Sequence, residues 1–307
     1  MAKYRRRKKS RIKYENLFYL LVIILVIGLF IYMFNRPKEE EKEEEKKNEA
    51  NNKPVVVELT EEERKLQMLD DINKKIDFFK MDYLDRYISY KEKNPNLDNE
   101  TIVVYVNIGL DQDFYTNVKD SPYKYTNTVL SNKYYNLGKD YVPKDLTKIN
   151  SKYASGDKYM TKEAAEAFEK MAEAAKKDGY NIRATSTYRS YSYQNGLYNN
   201  YANRDGKANA DRYSARPGYS EHQTGLAVDV DYFNQSYTSF GKTKEYNWMK
   251  ENCYKYGYIL RYTKETEFIT GYMTEEWHYR YVGNEIAKYI YEHPMTYEEY
   301  YVRFLDK

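Results

Sequence analysis

Three histidines occur in the chain, His222, His278 and His293. Two of them stand in dense runs of small, polar and acidic residues: Ala215-Arg-Pro-Gly-Tyr-Ser-Glu-His-Gln-Thr-Gly-Leu-Ala-Val-Asp-Val230 and Thr274-Glu-Glu-Trp-His-Tyr-Arg-Tyr-Val-Gly283. A catalytic zinc needs three protein ligands, imidazole or carboxylate, and a fourth position left to water. His222, His278 and one carboxylate make up that set. Asp229 is the natural carboxylate, because a loop from His222 through Gly225 into a strand lets a residue seven positions on point back at the same ion. The small residues Gly225 and Ala227 leave room beside it. Asp231 shares the strand face with Asp229 and competes for the role. Hydrolysis at such a centre also needs a group that accepts the proton of water. Glu275 and Glu276 both precede His278. Strict strand alternation places Glu276 on the histidine's face, a turn or helical geometry favours Glu275, and the spacing leaves both open.

The elements that must position these residues are legible around them. Thr161 opens a helical stretch (TKEAAEAFEKMAEAAKKDG) that stops at Gly179, where a left-handed cap is expected. Tyr180 to Thr187 has strand character and runs into Tyr188-Arg189-Ser190. Leu226, Val228 and Val230 alternate with Ala227, Asp229 and Asp231, which is strand period. A helix from about Thr243 to Tyr256 should stop at Gly257 and give way to a strand over Tyr258 to Tyr262. Tyr279 to Val282 predicts a further strand, followed by a helix beginning near Asn284. Upstream, Ile102 to Ile108 (IVVYVNI) is apolar and β-branched and predicts a strand. The fold class is therefore α+β.

The first part of the chain has a different character. Residues 1–16 carry eight Lys or Arg against Glu15 alone, so the net charge of +3 is concentrated there and the remainder is slightly acidic. That balance gives no support to a nucleic-acid partner. Leu17 to Phe34 (LFYLLVIILVIGLFIYMF) is apolar enough to predict one transmembrane helix, with no small-residue cleavage site after it. The positive-inside rule would then place the N-terminus in the cytoplasm and the rest outside, as a single-pass protein of the cytoplasmic membrane. Residues 35–58 read as a charged linker or stalk. Residues 59–79 suggest an amphipathic helix capped by Thr60 with Glu63 in capping-box position. The organisation expected is head 1–16, anchor 17–34, linker 35–58, a helical or extended part 59–145, and a catalytic domain 146–307. Cys253 is alone, which excludes a disulfide framework or a cysteine metal site and reads as a small buried residue. The 39 Tyr are spread evenly and single out no site.

Taken together, Ser220-Glu-His222, Gly225, Ala227 and Asp229 with Glu275-x-Trp277-His278 resemble the VanY-like D-alanyl-D-alanine carboxypeptidases, zinc peptidases with S-x-H-x(6)-D and E-x-x-H signatures. The likeness continues upstream through Ser186-Thr-Tyr-Arg189-Ser-Tyr and Gln194, and more loosely through Val104 to Gly109 and Asn132 to Leu137. It implies the hedgehog/DD-peptidase fold, an antiparallel sheet with flanking helices, with one Zn2+ held by His222, Asp229 and His278. It selects Glu275 as the general base, gives Arg189 the scissile carbonyl and its developing oxyanion, and has Ser220 hydrogen-bond the substrate. Gln194 and Arg216 are further candidates for the substrate pocket. Trp277 is expected to pack beneath the site, and His293 to cap the last helix. The family pattern often has Pro or another neutral residue where this chain has Glu276. The activity implied is removal of the C-terminal D-alanine from peptidoglycan stem peptides. The alternatives are an LD-carboxypeptidase acting on tetrapeptide stems, a cross-bridge endopeptidase and a non-catalytic wall-binding module; an intact base argues against the last.

Overall fold

Strand period in the second half of the sequence becomes one antiparallel sheet. A computed structural model describes residues 25–29, 60, 63, 65, 76–232 and 236–306. Within it, the short strands β1 (Lys119–Asp120) and β2 (Tyr135–Asn136) pair in parallel, and β3 (Leu146–Lys148) pairs antiparallel with β4 (Tyr159–Thr161). The main sheet comprises β5 (Arg183–Ser186), β6 (Ala227–Asp231), β7 (Tyr258–Tyr262) and β8 (Glu275–Tyr281). Its order is β5-β6-β8-β7, with every neighbouring pair antiparallel.

Alternation decides which face each residue takes. Ala184, Val228, Val230, Tyr279 and Tyr281 enter the main core with Phe168, Met171 and Ala175 of the helix Lys162–Lys177. Burying these side chains is the largest stabilising contribution here, at roughly 1.5–3 kcal/mol for each large apolar group. The helix Lys244–Asn252 and the 3-10 turn Cys253–Tyr256 pack on the same core, which contains the buried Cys253. Val129, Leu137 and Tyr141 join it from upstream of β3. The described residues from 76 onward belong to one compact unit.

Two expectations are corrected. Ile102 to Ile108 is not a strand but most of a helix, Asn99–Ile108. Asp98 caps it by accepting the Thr101 N–H at 2.8 Å, and Gly109 ends it in the left-handed conformation. Ile102, Val103, Val104, Val106 and Ile108 are all buried, so an apolar surface on every side suits a buried helix and outweighs β-propensity. The second correction concerns the membrane span and the single-pass placement drawn from it. Among the described residues no helix is long and apolar enough to cross a membrane, which takes about 20 residues. Of the run 17–34 only residues 25–29 are described, as a helical stretch. The rest of that run, the head, the linker up to residue 58 and most of the 59–79 helix lie outside the described residues. The Thr60–Glu63 capping box is formed, with Thr60 N–H donating to Glu63 at 2.7 Å and Glu63 N–H to Thr60 Oγ1 at 3.2 Å.

Candidate active site

The register of the sheet sets Asp229 of β6 directly opposite His278 of β8. His278 Nδ1 lies 3.0 Å from Asp229 Oδ1. His222 arrives from the 3-10 turn Glu221–Thr224 that feeds β6. Ser220 caps this turn, its Oγ accepting the His222 N–H at 3.3 Å. Gly225 closes it at φ +72°, where a Cβ would meet Pro143 at 3.1 Å and Leu146 at 3.2 Å. His222 Nε2 then stands 3.3 Å from Asp229 Oδ2. Its Nδ1 is 2.7 Å from the Thr187 carbonyl oxygen, to which it donates, so Nε2 keeps its lone pair. One nitrogen of each histidine and one Asp229 oxygen all lie within 4.8 Å of one another. Two imidazoles and a carboxylate, each ring with its other nitrogen engaged, suit a divalent cation of zinc's preferences. Asp231 is not in this group: Arg183 holds it through two bonds of 3.1 Å.

The start of β8 separates the two adjacent glutamates. Leu260 pairs with Tyr279 but Tyr262 pairs with Glu275, so a two-residue step on β7 spans a four-residue step on β8. Such a bulge breaks strict alternation. Glu275 and His278, three positions apart, thereby meet with Oε2 and Nδ1 3.8 Å from each other. Burial, with the nearby Asp229 charge, raises the Glu275 carboxyl to about 7 against the pull of His278 and Arg189. Glu276 instead packs its carboxylate on Gly241, where a Cβ would stand 2.1 Å from Glu276 Cδ.

A cavity of about 970 Å³ opens over this cluster, lined by His222, Asp229, Glu275 and His278 together with Arg189, Gln194, Ser220 and Trp277. Arg189 Nη2 donates to Asp229 Oδ2 at 2.8 Å and to Ser186 Oγ at 2.7 Å. Gln194 is buried, and its Nε2 donates to the Ala215 carbonyl at 2.8 Å. Its Oε1 has no partner among the described residues. Arg216 does not reach the cavity, contrary to expectation. Asp211 takes both ends of its fork at 3.0 and 2.8 Å, and its guanidinium lies over the Tyr115 ring at 3.9 Å. Trp277 packs on the core yet also lines the cavity, edge-on to Tyr237. His293 ends the helix Asn284–Glu292, its Nδ1 3.1 Å from the Tyr289 carbonyl, as a capping group would be.

Two contributors escape the sequence reading. Glu221, inside the quoted motif, places Oε2 3.2 Å from His278 Nε2. Burial alone would raise its carboxyl, but Arg261 and Arg280 hold it well below the usual carboxylate range. Tyr262 lays its ring against His278 at 4.9 Å between centroids. The available signal for Glu221 is an acid directly beside a candidate ligand, inside the motif.

Comparison with known proteins places this geometry. The family model for VanY, D-alanyl-D-alanine carboxypeptidase, matches residues 157–284. YodJ of Bacillus subtilis (strain 168) is 42% identical over 179 residues, 56% of this chain and 66% of that protein. Among solved structures, the LdcB LD-carboxypeptidase superposes with a TM-score of 0.54 at 42% identity, over 57% of this chain and 85% of LdcB. A VanY D,D-pentapeptidase from a VanB-type resistance cassette, solved as a mutant in complex with Zn(II), gives 0.50 at 30% identity, over 57% of this chain and 98% of its own. The chain spans 44–66% of the length of three curated relatives that it matches.

Proposed function

The chain belongs to the VanY family of D-alanyl-D-alanine carboxypeptidases, and on that premise we propose that it is a zinc-dependent carboxypeptidase removing the C-terminal D-alanine from peptidoglycan stem peptides. The observation that carries this reading is the convergence of His222, Asp229 and His278 within 4.8 Å at a cavity that also holds Glu275. Zinc held by those three residues would supply Lewis-acid polarisation of the scissile carbonyl and a water acidified toward neutrality. Glu275 takes the water's proton as the new carbon–oxygen bond forms. As the peptide carbon–nitrogen bond breaks, Glu275 passes that proton to the departing D-alanine amine. A buried carboxyl beside the ligand cluster, 3.8 Å from His278, is placed to do both. Arg189, braced by Ser186 and Asp229, offers a fixed guanidinium to the developing oxyanion. Ser220 and the unpartnered Oε1 of Gln194 are the polar groups that bind and orient the substrate backbone.

A second reading, LD-carboxypeptidase activity on tetrapeptide stems, is favoured by one observation: identity to LdcB is 42%, against 30% to the VanY structure. Zinc-loaded protein incubated with defined tetrapeptide and pentapeptide stems, followed by mass spectrometry, tests both. Loss of one alanine from the pentapeptide supports the first reading, and loss from the tetrapeptide alone supports the second. No loss from either peptide overturns both.

A further inference from the structure

His278 has a carboxylate on each side. Nδ1 faces Asp229 and Nε2 faces Glu221 Oε2 at 3.2 Å. The other Glu221 oxygen accepts from Arg261 Nε at 2.8 Å and from Arg280 Nη1 at 3.1 Å. Arg261 in turn closes its fork on Glu298, with bonds of 2.9 and 2.6 Å. Asn132 Nδ2 donates to the same Glu298 at 3.1 Å. Glu221, Arg261, Arg280 and Glu298 are each at most 3% exposed. Glu298 lies in the short helix Tyr297–Tyr300, beyond the residues 157–284 that match the family.

A carboxylate clamped by two guanidinium groups can only accept, so the imidazole nitrogen facing it must be the N–H donor. Nδ1, on the Asp229 side, is then the nitrogen that would give up its proton and offer a lone pair to a metal. Glu298 has a less direct part. While both ends of the Arg261 fork are taken up by Glu298, only Nε of Arg261 reaches Glu221, and Oε2 is left to His278. Without Glu298 the fork is free to turn onto both oxygens of Glu221 and compete with His278 for Oε2.

We propose that Glu221 is the positioning residue for His278, and that Glu298, acting through Arg261, sets how tightly the His222–Asp229–His278 group holds its metal. This rests on the zinc reading given above. The test compares the full-length chain with Glu221→Gln and Glu298→Gln. Zinc affinity is measured by chelator competition, and the tautomer of His278 is read from 15N shifts, which is practical with three histidines in the chain. Glu221→Gln should weaken zinc by about 10–100-fold, the range for losing such a partner, and shift the His278 ring nitrogens. Glu298→Gln should weaken it by a smaller factor and shift the same signals in the same direction. Glu298→Gln keeps the outcome readable should Glu221→Gln fail to fold. Unchanged zinc affinity and unchanged His278 shifts in folded Glu298→Gln would overturn the role of Glu298. The same result in folded Glu221→Gln would overturn the whole device. A wild-type chain that takes up no zinc would instead overturn the metal reading on which it stands.

Discussion

Strand β8 carries His278 and Arg280 on one face, two residues apart, and they end in opposite surroundings. Arg280 is fully buried and has a partner at each of its three nitrogens, Glu221, the Asn127 and Val129 carbonyls and the Tyr281 carbonyl. With Arg261 it balances the two acids Glu221 and Glu298, and each charge has a geometrically matched partner. His278 sits at the cavity among His222, Asp229 and Glu275, a cluster open to substrate and richer in competing charge. A closed, satisfied network can hold a shape but has nothing left with which to react. The open cluster keeps groups whose protonation and coordination are free to change. One strand thus supplies both, and the difference lies in the partners and not in the strand.

The largest effect is expected at the proposed metal ligands. Asp229→Ala should reduce bound zinc from about one per chain to background, as read by elemental analysis, because two ligands seldom retain the ion. Metal kept in Asp229→Ala but lost in Asp231→Ala would reassign the carboxylate. Glu275→Gln comes next: it should keep its zinc while kcat falls by roughly 10²–10⁴, the usual contribution of a general acid–base. An active Glu275→Gln beside a dead Glu276→Gln would move the base to the other glutamate.

In the closed cluster the expected loss is stability. Glu298→Ala leaves Arg261 short of a partner and should cost about 3–5 kcal/mol in urea unfolding. Replacing Arg261 and Glu298 together by Met and Leu should recover most of that, since burying apolar groups of similar volume avoids the desolvation penalty. A double variant as unstable as the single one would show that the pair itself, and not the unpaired charge, holds this region. The smallest effect is expected at Glu276. It packs on Gly241, so Glu276→Gln removes only a neighbouring charge and should leave kcat within about tenfold.

Much of the open cluster is legible in the sequence because its residue types are scarce and its spacing narrow. With three histidines in the chain, two in motif-like runs, few ligand sets are available. The sheet strands are readable for a related reason, since alternation in 226–231 is local. The closed cluster is not readable. Glu221 finds Arg261 40 positions away and Arg280 59 positions away, and no local pattern announces such partners. The bulge in β8 is likewise a property of a strand pair, which is why spacing left Glu275 and Glu276 open. Residues 102–108 mislead because β-branched composition marks a buried surface of either kind, and the deciding signals, Asp98 and Gly109, flank the run. Arg216 misleads because it lies next to the site in sequence while Asp211, five residues back, captures it.

The distances along the chain that hide the closed cluster also govern how it forms. Asn132 reaches Glu298 across 166 positions, and Arg280 reaches the Val129 carbonyl across 151. Contacts of such separation must repay the entropy of closing long loops before they reward the chain, so they form late and slow folding. A fragment cut to residues 157–284 would hold every zinc-ligand candidate yet retain two guanidinium groups for one buried acid. The stretch by which a relative is recognised is therefore shorter than the stretch that must fold. A folding intermediate lacking the 127–132 and 296–302 segments would carry the motif complete and the charge unbalanced.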